Sequence, residues 1–386
     1  MPQAVPYWRL SGFYFFYFST LGGILPFWSP YLKEVGFNAL EIGELSAMII
    51  GTKIVSPNIW GWVADHTGKS LRIIRYAAFL SLISFVGYFV EISYFWFAWV
   101  SIVFSFFWNA SLPQFEAVTL EHLQADNHRY SQIRLWGSVG FIVAVLGIGW
   151  WLEQQGMSQL PVVILGLLVF IWLFALLTPE KKLKIVHYQR INLWQILKKP
   201  EVIAFFVSYI LLQISHGPYY VFFSIYLNEL HYSSTLIGFL WALAVIAEVL
   251  LFLVMRPLLK YMSLRAILLS SLLLAIVRWV LIARYAHCLE LLLIAQLFHA
   301  ATFAAAHTVA IHLVQQYFGL QHQGKGQALY SSLSFGLGGM IGSLYSGYGW
   351  DKWGAQWVYS IAAICCCLAL LVAYLWVGRE KTLSLG

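Results

Sequence analysis

A chain of 386 residues in which 61% are hydrophobic and only 10% charged cannot cover a water-facing surface, because a soluble domain is nearer one quarter charged. The formal net charge of +7 is scattered over short polar stretches between apolar runs, which argues against nucleic acid as a partner. Four cysteines, three of them contiguous at 365–367, have neither framework nor ligand spacing, so no disulfide scaffold and no metal site is expected.

In chain order, MPQAVPYWRL leads into a first apolar run with no small-residue cleavage site, so it reads as a span and not as a removed signal peptide. A spanning helix needs about 20 apolar residues. The hydropathy pattern predicts such helices at 10–32, 42–61, 74–92, 94–118, 135–152 and 160–178. After the polar stretch 179–200, it predicts six more at 202–227, 235–255, 266–285, 289–313, 327–349 and 356–377. The expected fold is therefore an all-α membrane protein: a six-helix bundle over 1–178, a cytoplasmic linker over 179–200 and a second six-helix bundle over 201–386. The aromatic share of 18% suits two interfacial belts and a ring-lined interior.

The basic residues orient this arrangement. With the amino terminus inside, only Lys33, Arg284 and Lys352 fall outside, while Lys53 and Arg278 lie within spans. All the other lysines and arginines become cytoplasmic, as the positive-inside rule requires for an even number of spans. The expectation is a multi-pass protein of the cell (inner) membrane with both termini cytoplasmic, working as a monomer.

The two halves repeat. SPYLKEVGFNALEIGELSAMIIGTK (29–53) aligns without gaps on SIYLNELHYSSTLIGFLWALAVIAE (224–248). It matches Ser29 to Ser224, Tyr31 to Tyr226, Leu32 to Leu227, Glu34 to Glu229, Ile42 to Ile237, Gly43 to Gly238, Leu45 to Leu240 and Ala47 to Ala242. Further on, LWGSVGF (135–141) resembles LYSSLSF (329–335). Two parallel six-helix copies with a solute site between them are a transporter architecture. The alignment also pairs Lys53 with Glu248, two mid-span charges of opposite sign that lipid would not tolerate cheaply.

The stretch after the second span, GWVADHTGKSLR (61–72), resembles the G-x-x-x-D-x-x-G-[RK] signature of the major facilitator superfamily. Gly61, Asp65, Gly68 and Lys69 stand at the matching positions, with Arg72 beyond them. Physically, Asp65 can cap a helix start and pair with cytoplasmic cations, while the glycines allow a tight turn. The resemblance implies a gating role for this loop and no substrate contact. Within the superfamily the chain looks most like the lactose-permease branch, and closest to its phenylpropionate-permease-like members. FEAVTLEHL (115–123) and RLWGSVGF (134–141) resemble the segments that carry acidic and arginine sugar contacts there, which places Glu116 and Arg134 in those roles. VRW (277–279) and LFHAATF (297–303) likewise place Arg278 and His299 at an arginine and a histidine of the family. Thr302 stands where that branch carries a proton-binding glutamate, so any proton carrier must be reassigned.

Glu248 is the acid placed to take up and release a proton, with His299 and His307 as further candidates; the two histidines lie about two turns apart on one helix. Lys53 and Arg278 are the mid-span cations suited to an anion, and a guanidinium can hold a carboxylate in bidentate fashion. Tyr219, Tyr220 and Trp241, with Trp28 and Trp136 behind them, can present ring faces to an aromatic ligand. His216-Gly217-Pro218 is expected to interrupt the seventh span and expose backbone groups. No nucleophile–base constellation and no H-E-x-x-H run appears, so no catalytic residue is assigned and an intramembrane enzyme is the weaker class. The sequence thus points to a secondary transporter without cofactor, driven by the proton gradient, with a small molecule and protons as partners within the lipid bilayer. A small aromatic carboxylate is the expected substrate, and a sugar or nucleoside is the alternative.

Overall fold

The computed structural model describes residues 5–180 and 193–378. Among them every long element is a helix and no strand occurs. Six helices occupy the first half: α1 (Tyr7–Glu34), α2 (Ala39–Thr67), α3 (Ser70–Val86), α4 (Tyr94–Leu123), α5 (Tyr130–Gln155) and α6 (Leu160–Leu177). After a short helix at Trp194–Leu197 come α7 (Pro200–Glu229), α8 (Ser234–Tyr261), α9 (Leu264–Tyr285) and α10 (Leu289–Gly319).

The last apolar stretch, His322–Trp376, has 55 residues. At 1.5 Å per residue that is about 80 Å, far more than one crossing of a hydrocarbon core of about 30 Å. Gly354, with φ +79°, ends one helix and begins the next. Before it, Gly338 meets Ile210 and Gly342 meets Gly217, so the chain runs alongside α7. Beyond it, Arg284 reaches Gln356 and Arg265 reaches Val377, so the chain runs antiparallel to α9. The stretch is therefore two passes, α11 (322–353) and α12 (355–376). Ten stretches of the described chain are apolar enough to cross a membrane on composition alone. Dividing the last one and adding α2, which carries Glu41, Glu44, Lys53 and Asp65, completes the twelve passes that hydropathy predicted.

The repeat is visible at the level of single hydrogen bonds. Between α1 and α2, Gly36 N–H donates to Lys33 O and Phe37 N–H to Leu32 O, both at 3.1 Å. Between α7 and α8, His231 N–H donates to Asn228 O and Tyr232 N–H to Leu227 O, both at 3.0 Å. Gly36 (φ +107°) and His231 (φ +64°) take the left-handed residue of the turn. The next helix is then capped in the same way: Glu41 N–H donates to Asn38 Oδ1 (3.0 Å) and Leu236 N–H to Ser233 Oγ (3.3 Å). Every one of these positions is a pair in the ungapped alignment.

Each half also carries an arginine clasp. Arg75, in the first turns of α3, donates to the carbonyls of Ala175, Leu176 and Thr178 at the end of α6. Arg265, at the start of α9, donates to those of Ala373, Tyr374 and Val377 at the end of α12. The last carbonyls of a helix have no partner within it and carry partial negative charge, so a guanidinium there satisfies both needs.

The chain gathers into two compact units. Of the described residues, the first comprises 5–180 with Tyr219–Ala242 and Ser343–Asp351; the second comprises 193–218, Leu243–Gly342 and 352–378. Within the first unit the ends of α7, α8 and α11 remote from the basic loops pack on α1, α2 and α5. A Cβ at Gly43 would lie 2.7 Å from Gly347 Cα and 2.8 Å from Ser343 O. One at Gly238 would lie 2.2 Å from Val145 O and 3.6 Å from Gly149 Cα. Around these crossings Lys33 pairs with Glu229 at 2.6 Å, and Thr235 N–H donates to Glu153 at 2.9 Å.

The expected break at His216-Gly217-Pro218 is absent, since α7 continues through it as helix. Gly217 is required instead for close approach, because a Cβ there would fall 2.2 Å from the Gly342 carbonyl carbon. The carbonyl of Pro218 accepts from Tyr359 Oη at 3.1 Å, so the backbone there is used in packing. The expected linker 179–200 lies for the most part outside the described residues.

Candidate functional site

In the second unit, α8, α9 and α10 gather the polar candidates. Glu248 Oε2 lies 3.8 Å from His299 Nε2, near the middle of α8. Arg278 is wholly buried; its Nε–H donates to Ala295 O at 3.0 Å and its Nη1–H to Thr302 Oγ1 at 3.3 Å. Thr302 in turn donates to His299 O. The residue that replaces the family glutamate is thus a neutral acceptor for the buried arginine. Arg278 also sits 4.6 Å above the Trp279 ring, and the His216 ring lies 6.4 Å from that of His299. A carboxyl and an imidazole at this separation are in ion-pair range, and a proton passes between them across one water or after a small side-chain movement.

His307 lies farther along α10, where the helix departs from α geometry. Residues Ala300–Ala305 form a π turn, and Ser331–Gly338 form another on α11. Eight residues of pure α-helix would leave His299 and His307 about 80° apart. The π turn absorbs one residue and restores a common face. The rings of His299, Phe303 and His307 accordingly stack in file, with interplanar angles of 14° and 12°. His307 Nδ1 reaches the Tyr330 hydroxyl at 3.2 Å, and Phe335 packs against both rings.

In the first unit, Arg134 and Glu116 form an ion pair at 3.7 Å, each about one third exposed. Arg134 lies 4.1 Å over the Phe18 ring, and a Cβ at Gly137 would come within 2.8 Å of its Nη1, so that glycine leaves room for the guanidinium. Lys53 follows Thr52, which joins α2 to α4: Thr52 Oγ1 accepts from Asn109 Nδ2 (2.8 Å) and donates to Ser105 (3.0 Å). Lys53 itself makes no hydrogen bond or ion pair among the described residues.

The aromatic candidates are placed less openly than expected. Tyr219 and Trp241 are buried against each other at 4.6 Å, and Trp241 Nε1–H donates to Ser224. Tyr220 is half-buried beside Tyr219. Trp28 packs into Tyr31, Phe85 and Tyr88, while Trp136 donates to the Tyr7 hydroxyl next to Trp8.

In the stretch 61–72, Gly68 takes φ +63° and closes α2 by donating to Ala64 O. The expected cap at Asp65 is not formed. Asp65 lies in the last turns of α2, exposed and without an ion pair among the described residues, and α3 begins at Ser70 after Lys69 with no side-chain cap. Arg72 pairs with Glu180 at 3.4 Å. Gly61 has only ordinary contact with Gln114, so its missing side chain is not forced by packing. Sequence reasoning missed Thr52 and Asn109 as members of these polar groups. Single neutral residues inside apolar runs carry no signal of which helix they face.

Comparison with known proteins agrees with this architecture. The profile of the MFS_1 like family matches residues 7–361. A probable 3-phenylpropionic acid transporter of Escherichia coli (strain K12) is 27% identical over 368 residues, covering 92% of this chain and 95% of its own. The maltose permease of Geobacillus stearothermophilus is 25% identical over 380 residues, covering 96% and 94%. The crystal structure of the nucleoside transporter NupG superposes with a TM-score of 0.84 at 17% identity, covering 96% of this chain and 98% of its own.

Proposed function

This chain belongs to the MFS_1-like family of major facilitator transporters, and from that membership we propose that it is a proton-coupled symporter importing a small aromatic carboxylate of the phenylpropionate kind. The observation that carries the anionic part is Lys53, a mid-span cation with no carboxylate partner among the described residues. Such a charge inside a membrane protein is retained where it meets a charged ligand or an aqueous cavity. The likeness to a transporter named for phenylpropionic acid supports the aromatic part. The Glu248–His299 pair supports proton coupling, since it offers a titratable site in an apolar helix.

In this reading the site opens to one side of the membrane at a time, with the copies 1–178 and 201–386 as the moving bodies. The basic loops and both termini are cytoplasmic, the membrane is the inner one, and one chain suffices. No cofactor takes part beyond the proton gradient. A sugar or nucleoside is the second reading, favoured by the likeness to a maltose permease over nearly the whole chain.

The test is uptake into proteoliposomes under an imposed gradient, acid outside. Labelled 3-phenylpropionate should accumulate, and a protonophore should abolish the accumulation. Accumulation of maltose or uridine without any of the acid would transfer the assignment to the second reading.

A further inference from the structure

The α2–α4 seam contains a second group suited to the carboxylate, one that sequence patterns did not indicate. The two helices run the same way: contacts advance in step from Glu44–Tyr94 through Thr52–Ser105 to Gly61–Gln114. Thr52 and Asn109 face each other across the seam at 2.8 Å. On parallel helices, one step forward on one and one step back on the other turn about 100° onto the same flank. Those steps reach Lys53 on α2 and Trp108 on α4.

Trp108 is only 3% exposed, and its indole is fixed by stacking on Tyr17 (5.1 Å, 17°) and Phe104 (5.7 Å, 14°). Stacking occupies the ring faces and leaves the edge. That edge bears Nε1–H, which has no hydrogen-bond partner among the described residues. A buried donor without an acceptor is costly to keep. Lys53, which helical phase puts on the same flank, likewise lacks an anion among the described residues. From Tyr17 the stack continues through Phe13 to Phe115, an apolar column that begins at the indole.

We propose that Lys53 and Trp108 grip the substrate carboxylate together. The ammonium supplies the charge, and the indole N–H supplies a hydrogen bond of fixed direction. This rests on the aromatic-carboxylate reading and adds to it a directional donor for one carboxylate oxygen.

The experiment is a double-mutant cycle on the purified protein, with 3-phenylpropionate binding measured by calorimetry. Trp108→Phe keeps the stack and deletes the N–H; Lys53→Met keeps the length and deletes the charge. Trp108→Phe should weaken binding about tenfold, as expected for a hydrogen bond to a charged acceptor. The double variant should bind more tightly than the product of the two losses predicts, because both groups grip one carboxylate. Unchanged affinity in Trp108→Phe, or strictly multiplicative losses, would overturn the proposal and leave the functional reading intact. A wild-type protein that binds no member of a panel of aryl carboxylates would overturn the functional reading itself, and this proposal with it.

Discussion

Gly43 and Gly238 hold matching places in the two repeats and make matching contacts. Gly43 lets α2 press onto Ser343 O and Gly347, and Gly238 lets α8 press onto Val145 O and Gly149. In both, a carbonyl and a glycine four residues later form the surface that receives the helix. Nothing larger than hydrogen fits at either crossing, since an added Cβ would fall inside 3 Å of backbone.

A bulky residue at either crossing should therefore force these helix ends apart. Gly43→Leu and Gly238→Leu are each expected to raise the reactivity of a cysteine placed at Ser343 or at Thr235 toward a membrane-impermeant maleimide. Unchanged labelling rates in well-folded variants would show that the crossings are not what closes this seam.

Glu248→Gln preserves size and hydrogen bonding but cannot titrate. It is expected to abolish gradient-driven accumulation while leaving exchange of labelled for unlabelled substrate at near wild-type rates. Full accumulation by the Gln variant would move the proton to another group, with His299 the next to test.

Arg75→Ala and Arg265→Ala each strip a helix end of a cationic cap. Each should cost about 1–2 kcal/mol, the scale of a charge at a helix terminus together with its hydrogen bonds. Because the clasps lie in separate halves, the two losses should add. Thermal unfolding in detergent reads this directly, and a double variant as stable as the parent would remove the clasps from the account of stability.

These clasps show where the sequence stops being informative. The twelve spans were legible because apolar length is a property of the chain itself, and the repeated turn was legible because no gap disturbs its register. Arg75 and Arg265, by contrast, counted only as cytoplasmic charges. Their partners are backbone carbonyls, which have no signature among residue types. Lys53 and Glu248 were conspicuous as charges in apolar runs, whereas Trp108 and Asn109 looked like any other residue of an aromatic span. The expected break at Gly217 failed for a related reason: a glycine marks a loosened helix and a close helix crossing with the same letter.

His231→Gly offers a test of the repeated turn. A left-handed conformation costs a residue with a side chain about 1–2 kcal/mol relative to glycine, and the equivalent position in the first half is already Gly36. The substitution is expected to raise stability by up to about 1 kcal/mol after the extra chain entropy of glycine is counted. A lower melting temperature would mean that the His231 side chain contributes more than its backbone conformation costs.

The π turn at Ala300–Ala305 alters what any positional scan along α10 would report. Phase counted at 3.6 residues per turn from Leu289 holds as far as His299, and beyond Ala305 it is late by one residue, or about 100°. Substitution data from the two ends would therefore fit two different helical wheels, each sound alone and irreconcilable when drawn as one. The stacked file of His299, Phe303 and His307 is the splice between those wheels.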